Sequence, residues 1–265
     1  MRFRNLDVLK RPEPFQVSLG TLPRDILMTR FAMEKAFAVN RLVRSIHGDS
    51  FEWYGYTIAR KERVDVIVDI GIPENDKNRI DYTALDPVSI QVYQESLRRE
   101  EVINGWVHSH GNLPFHSFSS TDDQNSMRML DFVFSRLKIS VAKREIFVDD
   151  LLLLVEGRHT DQDLVEGSIA IVTDAPVTRA RILETVYGGF CHCLVIGDEG
   201  WHAQEIVYKE RGILSGHTAF SRKRARLLIT GDGGPLGPEA LQTLAREVRA
   251  KIKPLTHESP KLERA

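Results

Sequence analysis

The chain has 265 residues, 42% of them hydrophobic, enough to bury a real core in one enlarged domain or in a domain with an appendage. Its 36 basic and 37 acidic residues nearly cancel, which argues against a whole-molecule field for nucleic acid or an anionic membrane. Only two cysteines occur, Cys191 and Cys193, so a disulfide framework is excluded and a reducing cytoplasm is expected. The longest apolar run, residues 151–155, is too short to span a bilayer, and the opening MRFRNLDVLKRPEPF lacks the apolar segment of a signal peptide.

Residues 1–20 read as an irregular lead-in holding Pro12 and Pro14. Thr21 reads as an N-cap, with Pro23 in the first helical turn where its missing N–H costs nothing. Leu27, Phe31, Ala38, Leu42 and Ile46 then recur at helical spacing, predicting one long amphipathic helix that ends near His47-Gly48. Residues 51–59, rich in aromatic and β-branched types, predict a strand, and 64–70 a second one closed by Gly71-Ile72-Pro73. A helix over 87–99 leads into a strand over 102–108. Another helix over 122–137 carries Met127, Leu130, Phe134 and Leu137 at helical intervals. Strands follow at 139–142, 151–155, 168–173, 191–196 and 204–209; GDGGPLG at 231–237 reads as a linker, before a short helix over 238–252 and a charged tail. Together these predict a mixed α/β fold, a mixed sheet flanked by helices.

Between the strand and the helix that starts on the aspartates lies GWVHSHGNLPFHSFSSTDD, residues 105–123. His108 and His110 occupy alternate positions, so both imidazoles share one face if the strand runs through them. An aspartate at the start of the next helix can offer an oxygen as third ligand. Two imidazoles and a carboxylate suit zinc, with a fourth position left to water whose pKa falls to roughly 7. Hydrolysis then needs a carboxylate to carry a proton and a donor to steady the oxyanion. Glu52, in the apolar and aromatic FEWYGY, is the candidate for the first task and Ser119 for the second. Each residue has a plainer reading: a structural His-x-His, a solvent-facing glutamate, a helix-capping aspartate. His116 can serve as a further ligand or face water.

The order Glu52, then HSH at 108–110, then SSTD at 119–122 resembles the JAMM motif of the MPN family of metalloproteases. The resemblance implies a zinc-dependent isopeptidase or peptidase acting on a ubiquitin-like or other β-grasp protein or peptide, with an MPN/JAB-like, cytidine-deaminase-like layering. By the same resemblance His108, His110 and Asp122 are zinc ligands, Glu52 is the general acid/base, Ser119 stabilises the tetrahedral intermediate, and a homodimer is expected. It covers residues 21–137 and resumes at CLVIGDEGWHAQEIVYKE, residues 193–210, which divides the chain into a lead-in (1–20), a catalytic domain (21–209, with 138–189 mostly an insertion) and an extension (210–265). The chain departs from the family in two ways: Gly111 replaces the usual proline after the second histidine, and the loop before Ser119 is one residue longer. A second register, Ser120 with Asp123, therefore stays open.

Other features compete less well. Cys191-His192-Cys193 with His202 resembles half a zinc site but has no partner pair and suits ordinary packing. GDGGPLG lacks the Gly-Lys-Ser/Thr ending of a nucleotide loop, and the basic run 222–226 is expected to be solvated. A non-catalytic scaffold of the same family is the alternative function, although such scaffolds typically lose motif residues retained here. Hydrolysis of a small-molecule amide is a third reading.

Overall fold

A computed structural model describes residues 16–78, 85–149, 179–231 and 233–254, and within these the fold is mixed α/β. In chain order the elements are β1 (Gln16–Ser18), β2 (Ile26–Thr29), α1 (Arg30–His47), β3 (Tyr54–Arg60), β4 (Val66–Ile67), β5 (Asp69–Gly71) and β6 (Asn75–Asn78). There follow α2 (Pro87–Ser96), β7 (Glu101–Ser109), α3 (Ser120–Leu137), β8 (Ile139–Asp149) and β9 (Arg179–Ile196). The last are β10 (His202–Gly212), β11 (Thr218–Arg224), β12 (Leu227–Thr230), α4 (Pro238–Lys251) and β13 (Ile252–Pro254).

The described residues form two compact units. The larger gathers residues 22–138, 189–209 and those from 220 onward. In its main sheet β3 pairs antiparallel with β5 and β7, and β7 runs parallel to the end of β9 from Gly105 opposite His192 to Ser109 opposite Ile196. Side chains of adjacent residues leave this sheet on opposite faces. Val107 accordingly packs in a cluster with Ala36, Val39 and Val43 of α1 and Leu244 and Val248 of α4. Trp106 packs in a second cluster with Ile90 of α2 and Met129, Leu130 and Val133 of α3. The sheet is thus a middle layer, and the His-x-His strand lies in its interior. A smaller parallel sheet, β12-β2-β4, belongs to the same unit.

The other unit gathers the described residues within 1–21, 139–188 and 210–219. Here β8 pairs antiparallel with β1 and with β9. Glu184, fully buried, accepts hydrogen bonds from Arg144 Nη2 (2.7 Å) and from the backbone N–H groups of Leu214 (3.2 Å) and Ser215 (3.0 Å).

Several sequence expectations need correction. The first long helix starts at Arg30 with Thr29, not Thr21, as its cap: the Thr29 hydroxyl accepts from the Ala32 N–H at 3.2 Å. Ile26 to Met28 form a strand between two parallel neighbours, and an apolar run buried on both faces carries no period to tell strand from helix. Glu52 and Trp53 precede β3 rather than lying in it, and the strand expected over 64–70 is two short ones in different sheets. The lead-in contains β1, and the basic run opens inside β11. The strands expected at 151–155 and 168–173 lie outside the described residues. No helix among the described residues is long and apolar enough to cross a membrane.

Candidate metal centre

Strand β7, held between β3 and β9, carries His108 outward on the same face as Trp106, whose ring stacks on the imidazole at 4.4 Å and 13°. The chain stays extended for one more residue. The Ser109 N–H donates to the Trp53 carbonyl (2.9 Å) and the His110 N–H to the Ile196 carbonyl (3.0 Å). His110 therefore emerges beside His108, their Nε2 atoms 3.2 Å apart. The third group comes from the start of α3. Ser119 is its N-cap, accepting from the Asp122 N–H at 3.2 Å, while the Asp122 carboxylate accepts from the Ser119 N–H at 2.7 Å. This capping box turns Asp122 toward the histidines.

Asp122 Oδ1 lies 3.1 Å from His108 Nε2, and Oδ2 lies 3.4 Å from His110 Nε2. Donor atoms bound at ~2.0–2.1 Å to one tetrahedral ion stand about 3.3–3.4 Å apart. The two imidazole nitrogens, 3.2 Å apart, match that spacing, Asp122 turns one oxygen toward each of them, and all three residues are buried. His108, His110 and Asp122 can hold a metal ion. The His110 tautomer suits the task, because its Nδ1 lies 2.8 Å from the Phe115 carbonyl, which can only accept. Nδ1 carries the proton and Nε2 keeps its lone pair. His108 Nδ1 is buried without a well-formed hydrogen bond, although the Leu194 backbone favours its protonation.

Burial, the largest influence on all three groups, disfavours each charge, and neighbours decide the outcome. For Asp122, burial is outweighed by hydrogen bonds with His108 and His110, which hold its carboxyl well below the usual carboxylate range. Burial wins at His108 and depresses its pKa. At His110 burial is overcome by Asp122, the Phe115 carbonyl and the charge of Glu52, so its pKa is raised.

Glu52 is half-buried, and its charge acts on His110. Tyr54 pairs with His108, and continuing that register by two residues sets Glu52 opposite His110. The segment is pinned on both sides. The Ser50 hydroxyl donates to Asp198 Oδ2, and the Trp53 indole N–H to Asn40 Oδ1 at 2.8 Å. Asn40 Nδ2 donates to Asp198 Oδ1 at 2.8 Å, and the Ser109 hydroxyl also donates to Asn40 Oδ1. Sequence reasoning passed over Asn40 and Asp198; a polar residue in the buried stripe of α1 was the available signal for the first.

The other candidates go elsewhere. Asp123 pairs with Arg222, which also lies 3.2 Å from Glu205, so the basic run is not simply solvated. Arg226 pairs with Asp25 at 2.8 Å. His116 is exposed and stacks on Trp201 at 4.3 Å; Trp201 in turn packs edge-on against His110 at 6.0 Å, and His116 is not in the ligand group. Cys191 and Cys193 are buried in the α3 cluster with sulfurs 4.0 Å apart, and His202 is exposed, bonded to Gln204. No family model matches the chain, and no curated protein matches it.

Proposed function

We propose that the chain is a zinc-dependent hydrolase of the JAMM/MPN kind. It cleaves an isopeptide or peptide bond at the C-terminal tail of a ubiquitin-like or other β-grasp protein. The observation that supports the reading is the buried convergence of His108 Nε2, His110 Nε2 and the Asp122 carboxylate, with Glu52 in electrostatic reach. Two imidazoles and one carboxylate are a donor set that zinc favours and that leaves a coordination position open. A bound zinc ion supplies Lewis acidity, making water acidic and a carbonyl electrophilic.

The chain's own residues supply the rest. Glu52 accepts a proton from the attacking water and returns it to the leaving amine. Ser119 uses its oxygen to cap α3, and that bond does not consume its hydroxyl proton, which can be donated to a developing oxyanion. Trp106 and Phe118 line the His108 ring and exclude water from that side of the ligand group.

The test is metal content together with hydrolysis of a tail-linked modifier substrate by the purified protein. About one zinc per chain is expected, lost in His108→Ala and kept in Glu52→Gln, with turnover lost in both. A wild-type chain that takes up no metal from excess zinc would leave the non-catalytic scaffold standing instead.

A further inference from the structure

Next to the metal centre, within the same unit, lies a cavity of about 410 Å³. Phe118 joins the two, lining the cavity while its ring centroid stands 5.8 Å from that of His108. The lining also includes the β11 face that carries Arg222 and Arg224, alternate residues of one strand. His116, His202 and Glu205 complete the ionisable lining.

The charges of this lining are unevenly committed. Glu205 is buried, and its Oε1 lies 3.2 Å from Arg222 Nε, while Arg222 Nη1 is held by Asp123. Arg222 is thus occupied on two sides by carboxylates, while Glu205 Oε1 is buried without a hydrogen bond. Of the neighbouring cations, Lys223 lies over the Tyr208 ring and Arg226 pairs with Asp25. Arg224 is exposed and, among the described residues, has neither hydrogen bond nor ion pair; its charge acts on Glu205, but the donors of its guanidinium are left for a ligand.

His202 adds a second adaptable group. Gln204 Nε2 donates to the Ala225 carbonyl at 2.9 Å, which fixes the amide with its oxygen toward His202 Nδ1, also at 2.9 Å. Nδ1 therefore carries a proton, and Nε2 is left for a ligand.

We propose that this cavity is a specificity subsite for a carboxylate on the substrate, recognised by Arg224 with His202 beside it. The planar fork of a guanidinium matches a carboxylate through two parallel hydrogen bonds, and the Phe118 side places that carboxylate near the bond to be cleaved. The ligand being a substrate rests on the hydrolase reading; binding of the anion does not.

The experiment separates the two. Fluorescein-labelled hexapeptides of a Gly-Ser-Leu background, amidated at the C-terminus and bearing Asp, Asn or Lys at one central position, are titrated against zinc-loaded Glu52→Gln protein by anisotropy. The Asn peptide with a free C-terminus tests a terminal carboxylate instead of a side chain. The Asp or the free-acid peptide should bind about tenfold tighter than the amidated Asn peptide, and the Lys peptide weaker. Arg224→Ala should abolish the difference and Arg224→Lys retain part of it. The preference should survive removal of zinc by a chelator, since Arg224 and not the metal holds the anion. Equal affinities, an undiminished preference in Arg224→Ala, or a preference that vanishes with the metal would each overturn the subsite. Failure of the zinc-loaded wild type to cleave any tail-linked substrate would strike the hydrolase reading alone.

Discussion

Asp122 and Asp123 are adjacent on the first turn of α3, yet their carboxylates belong to different networks: the first faces His108 and His110, the second the Arg222 guanidinium. Neighbouring helix residues differ by about 100° in direction, so two identical side chains meet different partners. Asp122→Ala should weaken metal binding by more than about 100-fold, since even groups behind the ligands are worth 10–100-fold. Asp123→Ala should leave it nearly unchanged. Metal content after exhaustive dialysis of the two variants decides this, and zinc retained by Asp122→Ala would remove that residue from the ligand set.

Asn40 is buried and bonded to Trp53, Ser109 and Asp198 at once. Asn40→Ala leaves a buried indole N–H and a carboxylate oxygen without partners, at a cost of about 2–3 kcal/mol. Asn40→Asp is isosteric but sets a carboxylate against that of Asp198. It should be at least as damaging at pH 7 and recover partly as acid protonates one of the pair. Urea unfolding at pH 7 and pH 5 measures both; equal stability of wild type and Asn40→Ala would show that the network is dispensable.

Glu184 gives the pH dependence of the smaller unit a definite sign. Burial alone would raise its pKa, but the Ser215 and Leu214 N–H groups, Arg144 and the Ser215 hydroxyl overcome it and leave the pKa lowered. A depressed folded-state pKa contributes stability above the unfolded value of about 4.3 and loses it as pH falls through the folded value. Glu184→Gln should cost about 3 kcal/mol at pH 7, because Arg144 loses its buried partner, and the gap should narrow in acid. Thermal unfolding from pH 7 to pH 3 follows it; a constant gap across that range would contradict the assignment.

Gly105 and Gly200 should respond differently to alanine. A Cβ at Gly105 would stand 2.0 Å from the His192 carbonyl oxygen, so β7 and β9 would have to part beneath His108. About 3 kcal/mol of stability should go, with weaker metal binding beside it. At Gly200 the φ of 81° disfavours a side chain, but nothing lies within 4 Å, so the cost is about 1–2 kcal/mol and metal binding is untouched. Denaturant midpoints and zinc titrations of the two variants would reveal the contrast or its absence.

The grouping of His108, His110 and Asp122 was legible because His-x-His on a strand and an aspartate opening a helix carry their geometry in the sequence. The helix bearing Asp122 was legible too, since its cap and its apolar period agree. The start of α1 was not, because Ile26 to Met28 are apolar without period and only their partners, Val66–Ile67 and Leu227–Thr230, make them a strand. The support around Glu52 was also hidden. Asn40 and Asp198 meet across a separation of 158 residues, and Asp123 and Arg222 across 99, distances over which no local pattern informs.

The same atoms that start α3 also present Asp122, and the Phe115 carbonyl and the Trp106 ring already orient the two imidazoles. The entropy of ordering these side chains is therefore spent when the chain folds, not when an ion arrives. Metal uptake should then be a docking step without rearrangement. Its rate should be set by access and by proton release from His110, and the far-ultraviolet circular dichroism of the metal-free and metal-loaded chains should superimpose.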